Sequence, residues 1–158
     1  MLTEKQNNVL KIIFEALNEL NLSWMLIGSA NHVIQGMDRT PSDIDLIVET
    51  KYELQKIENR FKYNKENGIE FKEYDGYSMY ELNLSFDSIP VQIIGEYRRK
   101  DGQNVWGELD GFSGKKYIMY ERMNLPCLSL HQEYNAYIIT DRRKKAYKIK
   151  ELIDVNSY

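Results

Sequence analysis

Apolar residues recur along this chain in two rhythms, one of three to four residues and one of two, and the switches between them mark its elements. Val9, Leu10, Ile12, Ile13, Leu17 and Leu20 fall at helical spacing behind Thr3 and Gln6, a pair placed for a capping box. The spacing predicts an amphipathic helix over 3–21, with Asn21 at its end. Trp24 to Ile27 is a short apolar run closed by Gly28 and reads as a buried strand. Ala30, Val33 and Ile34 return to helical spacing until Gly36, and a polar loop containing Pro41 follows over 37–42. From Asp43 to Glu49 the period is two, so Ile44, Leu46 and Val48 point one way and Asp43 and Asp45 the other. Thr50 to Phe61 reads as a further helix with Leu54, Ile57 and Phe61 inward.

The middle third shifts to strand rhythm. Ile69–Tyr74 and Ser78–Phe86 are candidate strands, the second with Tyr80, Leu82, Leu84 and Phe86 on one face. Asp87 and Ser88 supply a turn into a third strand over Ile89–Ile94. Residues 98–116, rich in glycine and charge, are expected to form a long surface excursion around Trp106. Tyr117–Tyr120 suits one more short strand, and Ser129–Ile139 and Arg142–Ile153 suit two C-terminal helices. There is no internal repeat and no low-complexity tract.

A length of 158 residues fits one domain over 1–158, and 42% apolar against 28% charged residues excludes a disordered chain. The net charge of -3 gives the whole molecule no general affinity for nucleic acid or an anionic membrane. The charge is unevenly placed. Residues 141–150 carry Arg142, Arg143, Lys144, Lys145, Lys148 and Lys150 against only Asp141. That segment either attracts a triphosphate or is a solvated basic helix face; the sequence leaves both open. A lone Cys127 excludes an internal disulfide and a cysteine-rich zinc site. The polar start Met1–Gln6 is unlike a signal peptide, and no apolar run approaches the ~20 residues that span a bilayer. A soluble, cytoplasmic protein is expected.

Chemistry concentrates between residues 28 and 45. Gly28-Ser29 carries a strand directly into a helix, where unpaired N–H groups face any nearby anion, although ordinary helix caps look the same. Asp43 and Asp45 share a strand face with backbones roughly 6.5 Å apart, so their carboxylates can converge on a hard cation such as Mg2+. Strands disfavour aspartate and like charges repel on one face, which argues against an incidental pair. In the loop between, Arg39 offers a planar donor fork for phosphate or is simply a surface residue. Tyr134 and Tyr137, one helical turn apart, suit either a stacking platform or the edge of a core; His32 suits a structural place more than a ligand-binding one.

Leu26-Ile27-Gly28-Ser29 followed by Asp43-Ile44-Asp45-Leu46, with Arg39-Thr40-Pro41-Ser42 ahead of the pair, resembles the nucleotidyltransferase superfamily. That superfamily includes DNA polymerase beta, the tRNA CCA-adding enzymes and antibiotic nucleotidyltransferases, together with small bacterial and archaeal members. The motif spans residues 24–49, and the element order extends the likeness to about residue 95. The resemblance implies an α/β (α+β) fold: a mixed β-sheet flanked by helices, with a core over about 1–96 and a C-terminal extension over about 97–158 that ends in two helices. It implies metal-dependent transfer of a nucleoside monophosphate from a nucleoside triphosphate, ATP being the expected one, to a hydroxyl of a small molecule or protein. Asp43 and Asp45 are then the catalytic pair and the Mg2+ ligands, and Gly28, Ser29 and Arg39 hold the nucleotide.

The superfamily's third carboxylate, in a Pro-Val-Asp-apolar pattern, falls here on Gln92 of Ile89-Pro90-Val91-Gln92-Ile93-Ile94. A neutral amide binds a cation poorly and cannot act as a base. Asp87 and Glu96 flank that strand as substitutes. The alternative to an enzyme is therefore a catalytically degenerate nucleotide-binding or regulatory protein, or an interaction module, of the same fold. The chain is too short for a tRNA-binding architecture, so nucleic acid is not the expected acceptor. The resemblance also leaves room for a homo-oligomer or a helical partner protein.

Overall fold

A computed structural model describes residues 1–100 and 114–156 in full and the backbone of 106–109. Thr3 opens α1 (Glu4–Glu19) through the expected capping box: its side chain accepts from the Gln6 N–H, and the Gln6 side chain accepts from the Thr3 N–H. A second capping box, between Thr50 and Glu53, opens α3 (Lys51–Arg60). Between these helices lie β1 (Trp24–Ile27), the seven-residue α2 (Gly28–Ile34) and β2 (Ile44–Val48). β3 (Lys65–Tyr74), β4 (Tyr77–Phe86) and β5 (Ile89–Lys100) follow as a meander. Asp87 and Ser88 both take positive φ, as a tight two-residue hairpin turn requires. The chain continues through β6 (Trp106–Leu109), β7 (Lys115–Tyr120), β8 (Met123–Leu128), α4 (Leu130–Ile139) and α5 (Arg143–Asn156).

One mixed sheet joins the strands in the order β3-β4-β5-β2-β1-β8-β7. The β2–β5 and β1–β8 pairs are parallel and the other pairs antiparallel. β2 ends at Val48, opposite Gly95; beyond that point β5 runs on and takes β6 as its neighbour instead. Strand alternation gives the sheet two unlike faces. Trp24, Leu26, Ile44, Leu46, Val48, Leu82, Leu84, Val91 and Ile93 face α1 and α3 and form the main core. Each such side chain contributes roughly 1.5–3 kcal/mol by leaving water. A smaller cluster of Leu130, Tyr137, Ala146 and Ile149 joins α4 to α5. Among the described residues no helix is long and apolar enough to cross a membrane.

Two readings of the sequence need correction. The expected excursion over 98–116 is interrupted by structure, because 98–100 complete β5, Trp106 starts β6 and Lys115 starts β7. The remainder of that stretch, 101–105 and 110–113, lies outside the described residues. Charged residues such as Arg98, Arg99 and Lys100 mask strand periodicity because long stems can lie on a sheet while their heads reach water. β8 was not anticipated: Pro126 argues against a strand, since it has no N–H for a ladder. Its pairing with β1 is limited to Leu26 opposite Cys127, so little is asked of that missing donor.

Candidate active site

The face of β2 opposite the core presents Asp43, just before the strand, and Asp45 within it. Ser29 Oγ, on the first turn of α2, donates to Asp43 Oδ1 at 3.1 Å. Gly28 has φ of 68°, and a Cβ there would collide with the Asp45 carboxylate, so only glycine lets this carboxylate lie against the β1–α2 junction. The Gly28 N–H is occupied within the chain, donating to Glu133 Oε1 at 2.7 Å. Gly28 thus serves the site through space, and the open N–H expected at this position is already paired.

Two cavities meet at Asp45. One, of about 150 Å³, is lined by Ser29, Arg39, Asp43 and Asp45 together with Lys145 and Lys148 of α5. The other, of about 230 Å³, lies between the sheet and α4 and is lined chiefly by apolar and aromatic side chains. Tyr137 and Arg142 border both. Burial, reinforced by the neighbouring Asp43 and then Glu133, pushes the Asp45 carboxyl up to about 7, while Lys145 and Arg142 pull the other way. Burial, with help from Glu133 and Asp45, also raises the Tyr137 hydroxyl above its ordinary value. Among the described residues no three His, Cys, Asp or Glu side chains converge on a metal position.

Behind the aspartates a buried polar network ties α2 to α4. Glu133, only 4% exposed, accepts from the Gly28 N–H and from Asn31 Nδ2 at 2.9 Å, and its other oxygen lies 3.4 Å from His32 Nε2. Asn31 Nδ2 and Gln35 Nε2 also donate to the Leu128 carbonyl at the end of β8. The loop carrying Arg39 is pinned from α1 and the N-terminus: Gln6 Nε2 donates to the Pro41 carbonyl and the Met1 ammonium to the Arg39 carbonyl.

No protein-family model and no curated protein matches the sequence. Solved structures do match. TM1012 from Thermotoga maritima, provisionally designated a nucleotidyltransferase, superposes with a TM-score of 0.84 at 24% identity, over 98% of this chain and 96% of its own. The lincosamide antibiotic adenylyltransferase LnuA, solved with lincomycin bound, gives 0.63 at 14% identity over 96% and 98% of the two chains. ANT(2")-Ia, solved with adenylyl-2"-tobramycin, gives 0.60 at 12% identity over 94% and 87%. The chain has a nucleotidyltransferase-like fold.

Within that nucleotidyltransferase-like fold, Asp45 and Gln92 are register partners on the parallel β2–β5 pair, and both line the larger cavity. The amide therefore sits beside the aspartates, where the sequence motif puts a carboxylate. Neither flanking acid replaces it. Glu96 lies at the opposite end of β2, where its Oε2 accepts from the Lys51 N–H at the start of α3. Asp87 sits in the β4–β5 turn. A further buried carboxylate, Glu133 on α4, lies behind the pair, but its oxygens are turned to the Gly28 N–H, Asn31 and His32 and form no metal position with the aspartates. By sequence alone Glu133 is only an acidic residue in a first helical turn. Its one local hint was Asn31 and Gln35, two amides a helical turn apart, which buried on α2 need polar partners.

The aromatic and basic candidates separate by position. Tyr137 lines both cavities and meets His32 edge-on at 5.8 Å, whereas Tyr134 packs into the α4–α5 cluster. His32 is buried against Glu133 and borders the smaller cavity. Arg142, Lys145 and Lys148 turn toward the aspartates; Arg143 pairs with Asp141 at 3.0 Å, and Lys144 and Lys150 are exposed outside the cavity lining. The basic segment thus divides by face, with Arg142, Lys145 and Lys148 on the cavity side and Arg143, Lys144 and Lys150 on the solvent side.

Proposed function

We propose that this chain is a metal-dependent nucleotidyltransferase that moves a nucleoside monophosphate from a nucleoside triphosphate, expected to be ATP, to a hydroxyl of a small molecule or protein. One observation carries the reading: Asp43 and Asp45 share a cavity with Ser29, Arg39, Lys145 and Lys148. Two carboxylates suited to a hard divalent cation thus adjoin cations suited to a polyphosphate. LnuA is an adenylyltransferase and ANT(2")-Ia holds an adenylylated antibiotic, and both supports point to the same reaction class.

Mg2+ fits the donor set. Asp43 and Asp45 offer hard carboxylate oxygens, phosphate and water can fill the remaining positions, and a divalent charge offsets the burial and the Asp43 repulsion that lift Asp45 to about 7. The ion, when bound, supplies charge neutralisation on the transferred group and lowers the pKa of the acceptor hydroxyl. The chain's own residues position the rest. Ser29 fixes one Asp43 oxygen, Gly28 leaves room for Asp45, and Arg39, Lys145 and Lys148 hold the phosphates in line. The acceptor oxygen attacks the α-phosphorus, the bond to the bridging oxygen breaks, and pyrophosphate leaves as the hydroxyl proton is released to solvent.

Calorimetry with ATP and Mg2+, followed by an assay for released pyrophosphate, tests the reading. Asp43→Asn combined with Asp45→Asn is expected to abolish nucleotide affinity; unchanged affinity would sink the proposal. A second reading, a nucleotide-binding protein that does not turn over, is favoured by Gln92 beside Asp45. Binding without pyrophosphate release across a broad panel of hydroxyl acceptors selects it.

A further inference from the structure

The larger cavity differs in kind from the one that gathers the cations. Its floor is the site face of the sheet, with Met25, Ile47, Met79 and Ile94. Tyr77 and Tyr97, with ring centroids 5.7 Å apart, form one wall, and Tyr137 stands on the α4 side. Flat apolar and aromatic walls of this sort bind rings, whether aromatic or the C–H faces of a sugar. The only carboxylates among its described lining residues are Asp45 and Glu133. Glu133 is already engaged by the Gly28 N–H, by Asn31 and by the proximity of His32. Asp45 is committed to the cation under the proposed function. An ammonium-rich acceptor therefore meets no carboxylate left for it, and the Arg142 guanidinium repels it.

We infer that this larger cavity is the acceptor subsite and that it takes a compact, ring-bearing hydroxyl compound without net positive charge. The inference rests on the nucleotidyltransferase reading, because only the placement of polyphosphate in the smaller cavity leaves the larger one to the acceptor. The rival occupant is the nucleoside half of the triphosphate.

Methyl-labelled protein separates these cases by NMR, since Met37 and Ile149 line the smaller cavity while Met25, Met79 and Ile94 line the larger. Three phenols that differ mainly in charge serve as probes: neutral 4-hydroxybenzyl alcohol, anionic 4-hydroxyphenylacetate and cationic tyramine. With Mg2+ present throughout to occupy Asp45, the first two are expected to shift Met79 and Ile94, with tyramine weaker by about tenfold or more. Mg-ATP is expected to shift Met37 and Ile149 and to leave Met79 and Ile94 in place. Tyramine binding as tightly as the others, or no phenol reaching Met79 and Ile94, overturns the inference. So does Mg-ATP displacing the phenols, which assigns the cavity to the nucleoside. Mg-ATP shifting neither Met37 nor Ile149 instead defeats the nucleotide reading, with the phenol series still judging the cavity.

Discussion

At Asp45 the fold and the proposed metal binding make opposite demands on one carboxyl. Its carboxyl is pushed up to about 7 in the fold by burial, by Asp43 and by Glu133, against an ordinary 3.8 in an unfolded chain. Between those values the folded protein binds more protons at Asp45 than the unfolded one, so Asp45's contribution to metal-free stability is fully present below about pH 4 and is lost as pH rises through about 7. The loss is on the order of 4 kcal/mol. Urea denaturation in a chelating buffer is expected to show Asp45→Asn more stable than the parent at pH 8, by about 1–3 kcal/mol, with the gap closing toward pH 5. Added Mg2+ should raise the parent alone. Equal stability of the two proteins at pH 8 would mean that the buried charge is not strained. Gly28→Ala tests the same contact from the other side. It combines an unfavourable positive φ with a collision against Asp45, so about 1–3 kcal/mol of stability and most Mg-ATP affinity should be lost, read by denaturation and calorimetry.

At the scale of elements, what could be read from the sequence was what neighbours along the chain decide. The Thr3–Gln6 box, the apolar alternation of β2 and the Asp87–Ser88 turn are all set within a few residues, and each appears where its pattern put it. The Asp43–Asp45 pair was legible for the same reason: a period of two fixes their shared face. β8 and Glu133 were not, because their meaning depends on β1 and α2, a hundred residues earlier in the chain. The cost of losing that remote contact is measurable. Glu133→Ala strips the buried Gly28 N–H of its acceptor and the Asn31 amide of one of its two, and is expected to cost about 2–4 kcal/mol in denaturation. Glu133→Gln keeps a carbonyl acceptor and should cost distinctly less; equal losses would show that packing, not these hydrogen bonds, matters. Cys127 reports on the same junction, since burial pushes its thiol up to about 12. At pH 8 it should resist Ellman's reagent until the β1–β8 pairing opens, and labelling should then follow the denaturation curve.

Across the whole molecule, an acidic body carries a basic last helix, and the fold turns that imbalance into a local field. α5 docks through Ala146 and Ile149, which aims Lys145 and Lys148 at the cavity holding Asp43 and Asp45. These two lysines are exposed, so under the proposed function each phosphate contact is worth only about 0.2–1 kcal/mol. Lys145→Ala with Lys148→Ala should therefore weaken Mg-ATP binding by roughly twofold to thirtyfold, not abolish it. Adenosine, which carries no phosphate, should bind the variant and the parent alike. The difference for Mg-ATP should widen as ionic strength falls, because at physiological salt the screening length is only about 8 Å. A solvated helix face with no part in binding predicts no difference at any salt. The paired exchange of Lys144 and Lys150 for alanine supplies the control, since both lie on the same helix outside the cavity lining. If that control weakened Mg-ATP binding as much as the cavity pair does, net charge would be responsible and α5 would owe nothing to its orientation.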